Sequence, residues 1–253
     1  MLKVIVPYRN RVIQLEHLIP ILYAHLTQTL QEDFEICVIE QIDQKEFNKG
    51  CLFNTGFLET NDNKDNYFCF HDVDLIPKSI NADYSRPSSN TIVHPYGYKH
   101  CLGGKMLLNH NTYVKMNGFS VKYWGWGYED SDFLLRAKHH SVHISRDDFS
   151  ERYESDDYYE QDSDYHDNLQ NKLNRLDARV NQILFYNTVI NPELVEEEGL
   201  STTSYSVREK IKYKKFTLIK CEIQNQNQNL EYCKRVNDFV VFSGEEISNT
   251  NFR

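Results

Sequence analysis

The sequence predicts an α/β fold on a largely parallel sheet, and three observations carry that expectation. Apolar runs alternate with segments of helical spacing over residues 2–70, turn-forming clusters separate them, and the acid-bearing motifs fall where strands end. Residues 2–6 read as a short buried strand closed by Pro7. Leu15, Leu18, Ile19, Leu22, Leu26 and Leu30 then recur at helical spacing. Residues 34–39 form a second strand, 48–60 a second helix with Leu52, Phe53 and Phe57 inward, and 67–70 a third strand after an Asn/Asp-rich turn. Strand–helix–strand–helix–strand implies right-handed crossovers. Open sheets of this kind bind ligands beyond the carboxyl ends of their strands. Pro7-Tyr8-Arg9-Asn10-Arg11 and Asp72-Val73-Asp74 both lie at such ends and should converge.

The later segments are less regular. Residues 103–108 suit a strand, 111–116 a short helix stopped by Asn117-Gly118, and 129–139 a helix with acids at its start, where the dipole favours them. Residues 147–164 are acidic and tyrosine-rich. Leu169, Leu173, Leu176, Val180, Ile183 and Leu184 mark an amphipathic helix, and residues 215–223 alternate as a strand. There is no internal repeat. Residues 1–223 are expected to form one domain, with 224–253 as an extension packed on it or trailing from it.

Composition narrows the function. The chain has 253 residues, 40% of them apolar, and a formal charge of -9 from 28 basic and 37 acidic residues. That balance argues against nucleic acid as a partner. The one dense basic run, residues 210–215, contains Ile211 and Tyr213 and looks like a strand's wet face. No segment is apolar enough for a transmembrane span. The six cysteines stand singly, without a CxxC pair, which suits a reduced compartment. Met1 runs almost directly into the first strand, so a soluble cytoplasmic protein of microbial or viral origin is expected.

Two motifs carry chemistry. Asp72-Val73-Asp74 follows an apolar strand, so its acids sit on a rigid support. Hard divalent cations prefer carboxylate oxygen and share it with substrate phosphates; the alternative is a turn whose acids cap neighbouring N–H groups. Trp124-Gly125-Trp126-Gly127-Tyr128-Glu129-Asp130 contains both tryptophans of the chain. Indole offers a flat apolar face for a sugar ring, and the adjacent carboxylates can reach its hydroxyls. The competing reading is an aromatic plug over a sheet end, followed by ordinary first-turn acids.

Several segments in register resemble the β-1,4-galactosyltransferase family (glycosyltransferase family 7). They are Pro7-Tyr8-Arg9-Asn10-Arg11, Phe47-Asn48-Lys49-Gly50, Leu52-Phe53-Asn54-Thr55-Gly56-Phe57, His71-Asp72-Val73-Asp74-Leu75-Ile76-Pro77, Gly103-Gly104, Asn117-Gly118-Phe119 with the tryptophan run, and Gly199-Leu200-Ser201 with Tyr205-Ser206-Val207. His-Asp-Val-Asp-Leu is most similar to the family's xylose-directed branch. The likeness covers about residues 2–223. It implies a GT-A (Rossmann-like) fold with a central, mostly parallel mixed sheet. It also implies an inverting transferase using Mn2+ (or Mg2+) and a UDP-sugar, UDP-Gal or UDP-GalNAc, with a saccharide acceptor in surface glycan synthesis.

By position, the resemblance assigns Pro7, Arg9, Arg11, Phe47, Lys49, Asp72 and Val73 to uridine and diphosphate. Asp74 becomes the first metal ligand, Gly104 the place where the donor sugar approaches the backbone, Trp126 a contact to donor and acceptor, Glu129 an acceptor contact, and Asp130 the general base. Lys49 stands where the family often has arginine, which keeps the charge and loses the bidentate fork. Three departures bear on substrate. Cys101 aligns with a tyrosine that crowds the donor's 2-position, which leaves UDP-GalNAc level with UDP-Gal unless Tyr98 or His100 fills the space. Ser131 replaces a third acid that helps select the acceptor. His166, with Asp164 as a weaker partner, supplies the remaining metal ligands; His139, His140 and His143 compete. The acidic stretch is expected to order over bound donor as a lid. Alternatives are a transferase using UDP-GlcNAc or UDP-Glc, and a catalytically silent carbohydrate-binding module.

Overall fold

The computed structural model describes residues 1–151, 159–161 and 175–227. The expected alternation forms β1 (Leu2–Tyr8), α1 (Val12–Thr29), β2 (Phe34–Gln41), α2 (Lys49–Thr60) and β3 (Tyr67–His71). After them come β4 (Leu75–Pro77), β5 (Thr91–Gly97), β6 (Lys105–Asn109), α3 (His110–Lys115), α4 (Glu129–His139) and β7 (His143–Ser145). The chain continues through β8 (Ser150–Glu151), β9 (Tyr159–Gln161), α5 (Leu176–Ile190), β10 (Tyr205–Lys212) and β11 (Thr217–Ile223).

A nine-stranded mixed sheet runs β10-β11-β2-β1-β3-β6-β5-β7, with β8 beside β5. The β1–β2, β1–β3, β2–β11, β5–β7 and β5–β8 pairs are parallel; β6 enters antiparallel between β3 and β5. β4 pairs with β9 in a separate ribbon.

Both faces of the sheet are covered, which explains its continuous apolar strands. Leu2, Val4 and Val6 of β1 join Leu18, Leu22 and Leu26 of α1 in one core. Ile5 points the other way, into a core with Phe53 and Phe57 of α2, Phe70, Phe119 and Phe133. α2 lies close on β1: a Cβ at Gly56 would meet Ile5 Cγ2 at 2.3 Å. The interior of this face is aromatic, with Phe119 and Phe133 stacked 3.9 Å apart and Phe70 stacked on Tyr113 at 4.6 Å.

Three strands depart from the sequence reading. β5 contains Pro95, yet it lies inside the sheet, because the β5–β6 register slips between Val93 and Tyr96. A bulge is where a strand tolerates proline's missing N–H. β10 is a whole edge strand, exposed along much of its length, and the basic run covers its last three residues and the turn that follows. β4 starts at Leu75, immediately after Asp74, and is wholly buried. Cys37, Cys51, Cys69, Cys101 and Cys221 are free and buried. No described helix is long and apolar enough to cross a membrane. The expected helix from Leu169 begins in the described residues only at Leu176, and most of the 224–253 extension lies outside them, as does the bulk of the acidic stretch.

Candidate active site

The carboxyl ends of β1 and β3, the start of α2 and the start of α4 meet in one cleft. Lys49 is the first residue of α2, whose N-cap is set by Asn48 Oδ1 accepting from Cys51 N at 2.8 Å. From there its ammonium reaches across the cleft. It donates to both carboxylate oxygens of Asp130 at 3.0 Å, lies 3.0 Å from Asp72 Oδ1, and is 3.8 Å from Glu129 Oε1. One cation therefore gathers acids from the β3 end and from α4.

This crowding shows in the acid–base balance. Burial pushes the Asp130 carboxyl up to about 8, with the neighbouring Glu129 and Asp72 charges adding to the shift and Lys49 opposing it. Burial also raises Glu129, and the three carboxylates hold Lys49 well above its ordinary value despite its own burial. Like charges held close together cannot all ionise at full strength. Asp130 is the group so placed to carry a proton near neutral pH.

The β1 end supplies the second half of the cleft. Arg11 Nη1 donates to Asp74 Oδ2 at 3.0 Å, so the two motifs expected to converge do so. Arg9 donates to the Lys45 carbonyl at 2.6 Å and lies over the Phe47 ring at 5.6 Å. Pro7 and Val73 are buried beneath, and Asp72 N donates to the Gly104 carbonyl at 2.8 Å. Asp74 presents oxygen on a rigid turn beside a guanidinium, a donor set that suits a hard cation and a diphosphate together. The expected partners His166 and Asp164 lie outside the described residues. Among the described residues, no group of three His, Cys, Asp or Glu ligand atoms includes Asp74.

The 101–104 segment forms the wall opposite Lys49. Leu102 N donates to the Asp130 carbonyl at 3.0 Å, and a Cβ at Gly103 would meet Asp130 Oδ2 at 2.3 Å. Only glycine at 103 leaves room for that carboxylate. Gly104 takes φ +77° beside the Tyr96 carbonyl. Cys101 is 7% exposed, and burial, seconded by the Asp130 charge, pushes its thiol up to about 12. Tyr98 and His100 stack on each other at 5.2 Å, and His100 is exposed.

The tryptophan run divides between the two roles weighed for it. Trp124 is 1% exposed and belongs to the core, as the aromatic-plug reading has it. Trp126 is half-buried in the cleft region, with Glu129, Asp130 and Ser131 following it. Gly125 (φ +77°), Gly127 (φ +98°) and Tyr128 (φ +73°) take left-handed backbone and turn the chain sharply into α4. Two residues of α5 hold the turn, and nothing in their sequence announced it. Asp177 Oδ2 accepts from Trp126 N at 3.0 Å, while Asn181 donates to the carbonyls of Trp124 and Trp126 at 3.0 and 3.2 Å. As a first-turn acid, Asp177 looks like any other in the sequence.

Asp132, one residue beyond Ser131, is a buried structural acid rather than an acceptor contact. It accepts from Arg136 Nε at 2.6 Å and from the Tyr123 hydroxyl at 3.1 Å. Arg136 also binds Glu198 and the Val195 carbonyl. The Gly199-Leu200-Ser201 motif is likewise structural: Leu200 N and Ser201 N donate to the Asn117 carbonyl and side chain at 2.6 and 2.9 Å. A cavity of about 590 Å³ lined by Lys64, Arg86, Asn109 and Lys115 lies at the opposite end of β3 and β6, away from these residues.

Comparison with known proteins decides the family. A profile for the N-terminal region of glycosyl transferase group 7 matches residues 1–86, and a galactosyltransferase profile matches residues 87–160. The chain belongs to glycosyltransferase family 7. Mouse β-1,4-galactosyltransferase 7 is 36% identical over 152 residues, 57% of this chain and 46% of its own length. Xylosylprotein 4-β-galactosyltransferase of Caenorhabditis elegans is 35% identical over 154 residues, covering 56% and 52%. Rat β-1,4-galactosyltransferase 4 is 39% identical over 157 residues, covering 56% and 44%. The chain thus spans about half the length of these relatives.

Among solved structures, Drosophila β1,4-galactosyltransferase 7 in a mutant complex with manganese, UDP-Gal and xylobiose superposes with a TM-score of 0.70 at 24% identity. That match covers 92% of this chain and 98% of the other. A mannosyltransferase from Pyrobaculum calidifontis with GDP-Man and Mn2+ gives 0.52 at 11% identity, covering 96% and 76%. The family 7 chain has the GT-A fold. The expectation of a microbial or viral cytoplasmic protein is overturned by these sequence relatives, which are animal enzymes of mouse, rat and worm.

Proposed function

We propose that the chain transfers galactose from UDP-Gal, with inversion, to a saccharide hydroxyl in the building of a glycan. The observation that carries this reading is Lys49 joining Asp72 to Asp130 in one cleft, with Asp74 and Arg11 beside them. Inversion by single displacement needs one base within reach of the acceptor hydroxyl. Asp130 takes that role: it accepts the hydroxyl proton while the sugar leaves the diphosphate. Arg9, Arg11, Phe47, Asp72 and Pro7 bind the nucleotide, and Lys49, held beside Asp72 and Asp130, adds positive charge facing the diphosphate. Asp74, with His166 and Asp164, would hold Mn2+, and the cation bound there would supply charge neutralisation for the departing UDP. Trp126 and Glu129 orient the acceptor, and Ser131 leaves more room beside it than an acid would.

Relatives named for galactosyl transfer support the donor, and the xylosyl-directed names among them favour a xylose-terminated acceptor. Cys101 keeps UDP-GalNAc as a second donor, because the wall beside Asp130 carries a small side chain there. The test is UDP release with Mn2+, run over UDP-Gal, UDP-GalNAc, UDP-GlcNAc and UDP-Glc against xylosides and GlcNAc-terminated acceptors, with linkage analysis of the product. Acceptor-dependent release with UDP-Gal supports the reading. Sugar binding without release under every pairing would instead make the chain a carbohydrate-binding module.

A further inference from the structure

We propose that His139, His140 and Glu196 form a binding site for a divalent late transition-metal ion of the Zn2+ class. The site joins the end of α4 to the 192–196 turn of 3-10 helix. It lies at the opposite end of α4 from Asp130, about 15 Å away by helix rise, and is independent of the sugar-transfer reading.

The three side chains already converge. Their ligand atoms all lie within 4.8 Å of one another, and Glu196 Oε1 is 3.4 Å from Nε2 of each histidine. The two rings meet at 83° with centroids 5.0 Å apart, so their nitrogens approach a common point from different directions. Zinc–nitrogen and zinc–oxygen bonds are about 2.0–2.2 Å long. Ligands at that bond length stand about 3.3–3.6 Å apart around a tetrahedral ion, and Glu196 already lies 3.4 Å from each histidine.

A second observation points to a missing ligand. His140 Nε2 is shielded from solvent and makes no hydrogen bond, despite the carboxylate beside it. Buried polar atoms are nearly always satisfied, and a metal ion bound between these side chains would give His140 Nε2 its partner. The carbonyl end of α4 adds a field that favours a cation. Two imidazoles and one carboxylate select Zn2+, Co2+ or Ni2+ over Mg2+ and Ca2+. Three protein ligands leave a fourth position for water.

The test is equilibrium dialysis of tag-free full chain against Zn2+, beside His140→Asn, His139→Gln and Glu196→Gln. Circular dichroism and urea unfolding are measured on each protein to confirm its fold. One equivalent of Zn2+ lost or weakened at least about tenfold in the histidine variants, with the fold kept, supports the site; even outer partners of a metal cost that much. If His140→Asn fails to fold, exposed Glu196→Gln carries the same expectation. Unchanged Zn2+ stoichiometry and affinity in the folded variants overturns it, as does displacement of that equivalent by equimolar Mg2+.

Discussion

Helix α4 carries two charged clusters, one at its start and one joining Asp132 to Arg136, and they are built on opposite terms. At its start, Lys49 faces Asp72, Glu129 and Asp130, a single cation against three acids. Further along, Arg136 binds Asp132 and Glu198 with its side chain fully buried. The second cluster is saturated. Its guanidinium also donates to the carbonyls of Val195 and Glu198, Tyr123 serves Asp132, and Val121 N serves Glu198. The first cluster is under-compensated and stays partly open, with Lys49 12%, Glu129 14% and Asp130 21% exposed. Charges fixed by geometry hold a fold together; charges left in surplus can exchange protons and partners.

The largest expected effect breaks the first cluster alone. Asp130→Asn should lower transfer by about 10²–10⁴-fold, the usual worth of a general base, while UDP binding with Mn2+ persists. Calorimetric UDP titration beside an acceptor assay checks both halves. The same variant should change the pH dependence of stability. Folded Asp130 keeps its proton up to about 8, whereas an unfolded aspartate releases it near 4. The folded state thus binds more protons between those values, and stability present at low pH is lost as pH rises through about 8. Denaturant titrations across that window should show a flatter decline in the Asn variant.

Breaking the second cluster should do the reverse. Arg136→Met leaves buried Asp132 without its cation and Glu198 with only Lys122, 3.8 Å away, and should cost about 3–5 kcal/mol of stability. Urea unfolding measures it, and the residual folded enzyme should keep its pH profile. Trp126→Ala should lower acceptor kcat/KM by about tenfold, the scale of one aromatic contact. Trp124→Ala, in the core, should instead cost about 3–5 kcal/mol with no acceptor selectivity in the loss. Smallest of all, Gly127→Ala meets nothing within 4 Å but must take φ +98°, so about 1–2 kcal/mol is expected from backbone strain in thermal unfolding.

The two clusters also differ in how far the sequence revealed them. β1, α1, β2, α2 and β3 were legible within two residues because each has one unbroken period. The acids of the first cluster stand in short motifs beside glycine and tryptophan, so their importance was visible; the grip of Lys49 on Asp130 was not, since 81 residues separate them. Arg136 and Glu198 are 62 residues apart in unremarkable surroundings, and no local pattern pairs them. Alternating glycine and aromatic residues likewise say that a sharp turn is needed, not which indole goes inward. That choice is made by Asp177 and Asn181 from α5.

The central claim is that Asp130 is a base poised by Lys49, and a pH profile of kcat/KM for transfer tests it most directly. Measured over about pH 5.5–9.5 in the native chain and in Lys49→Met, the native rate should rise along an acid limb with its midpoint near 8. Removing Lys49 takes away the charge that favours the carboxylate, so the limb should move to higher pH. A native rate flat across that range, or a limb unmoved in Lys49→Met, would contradict the account.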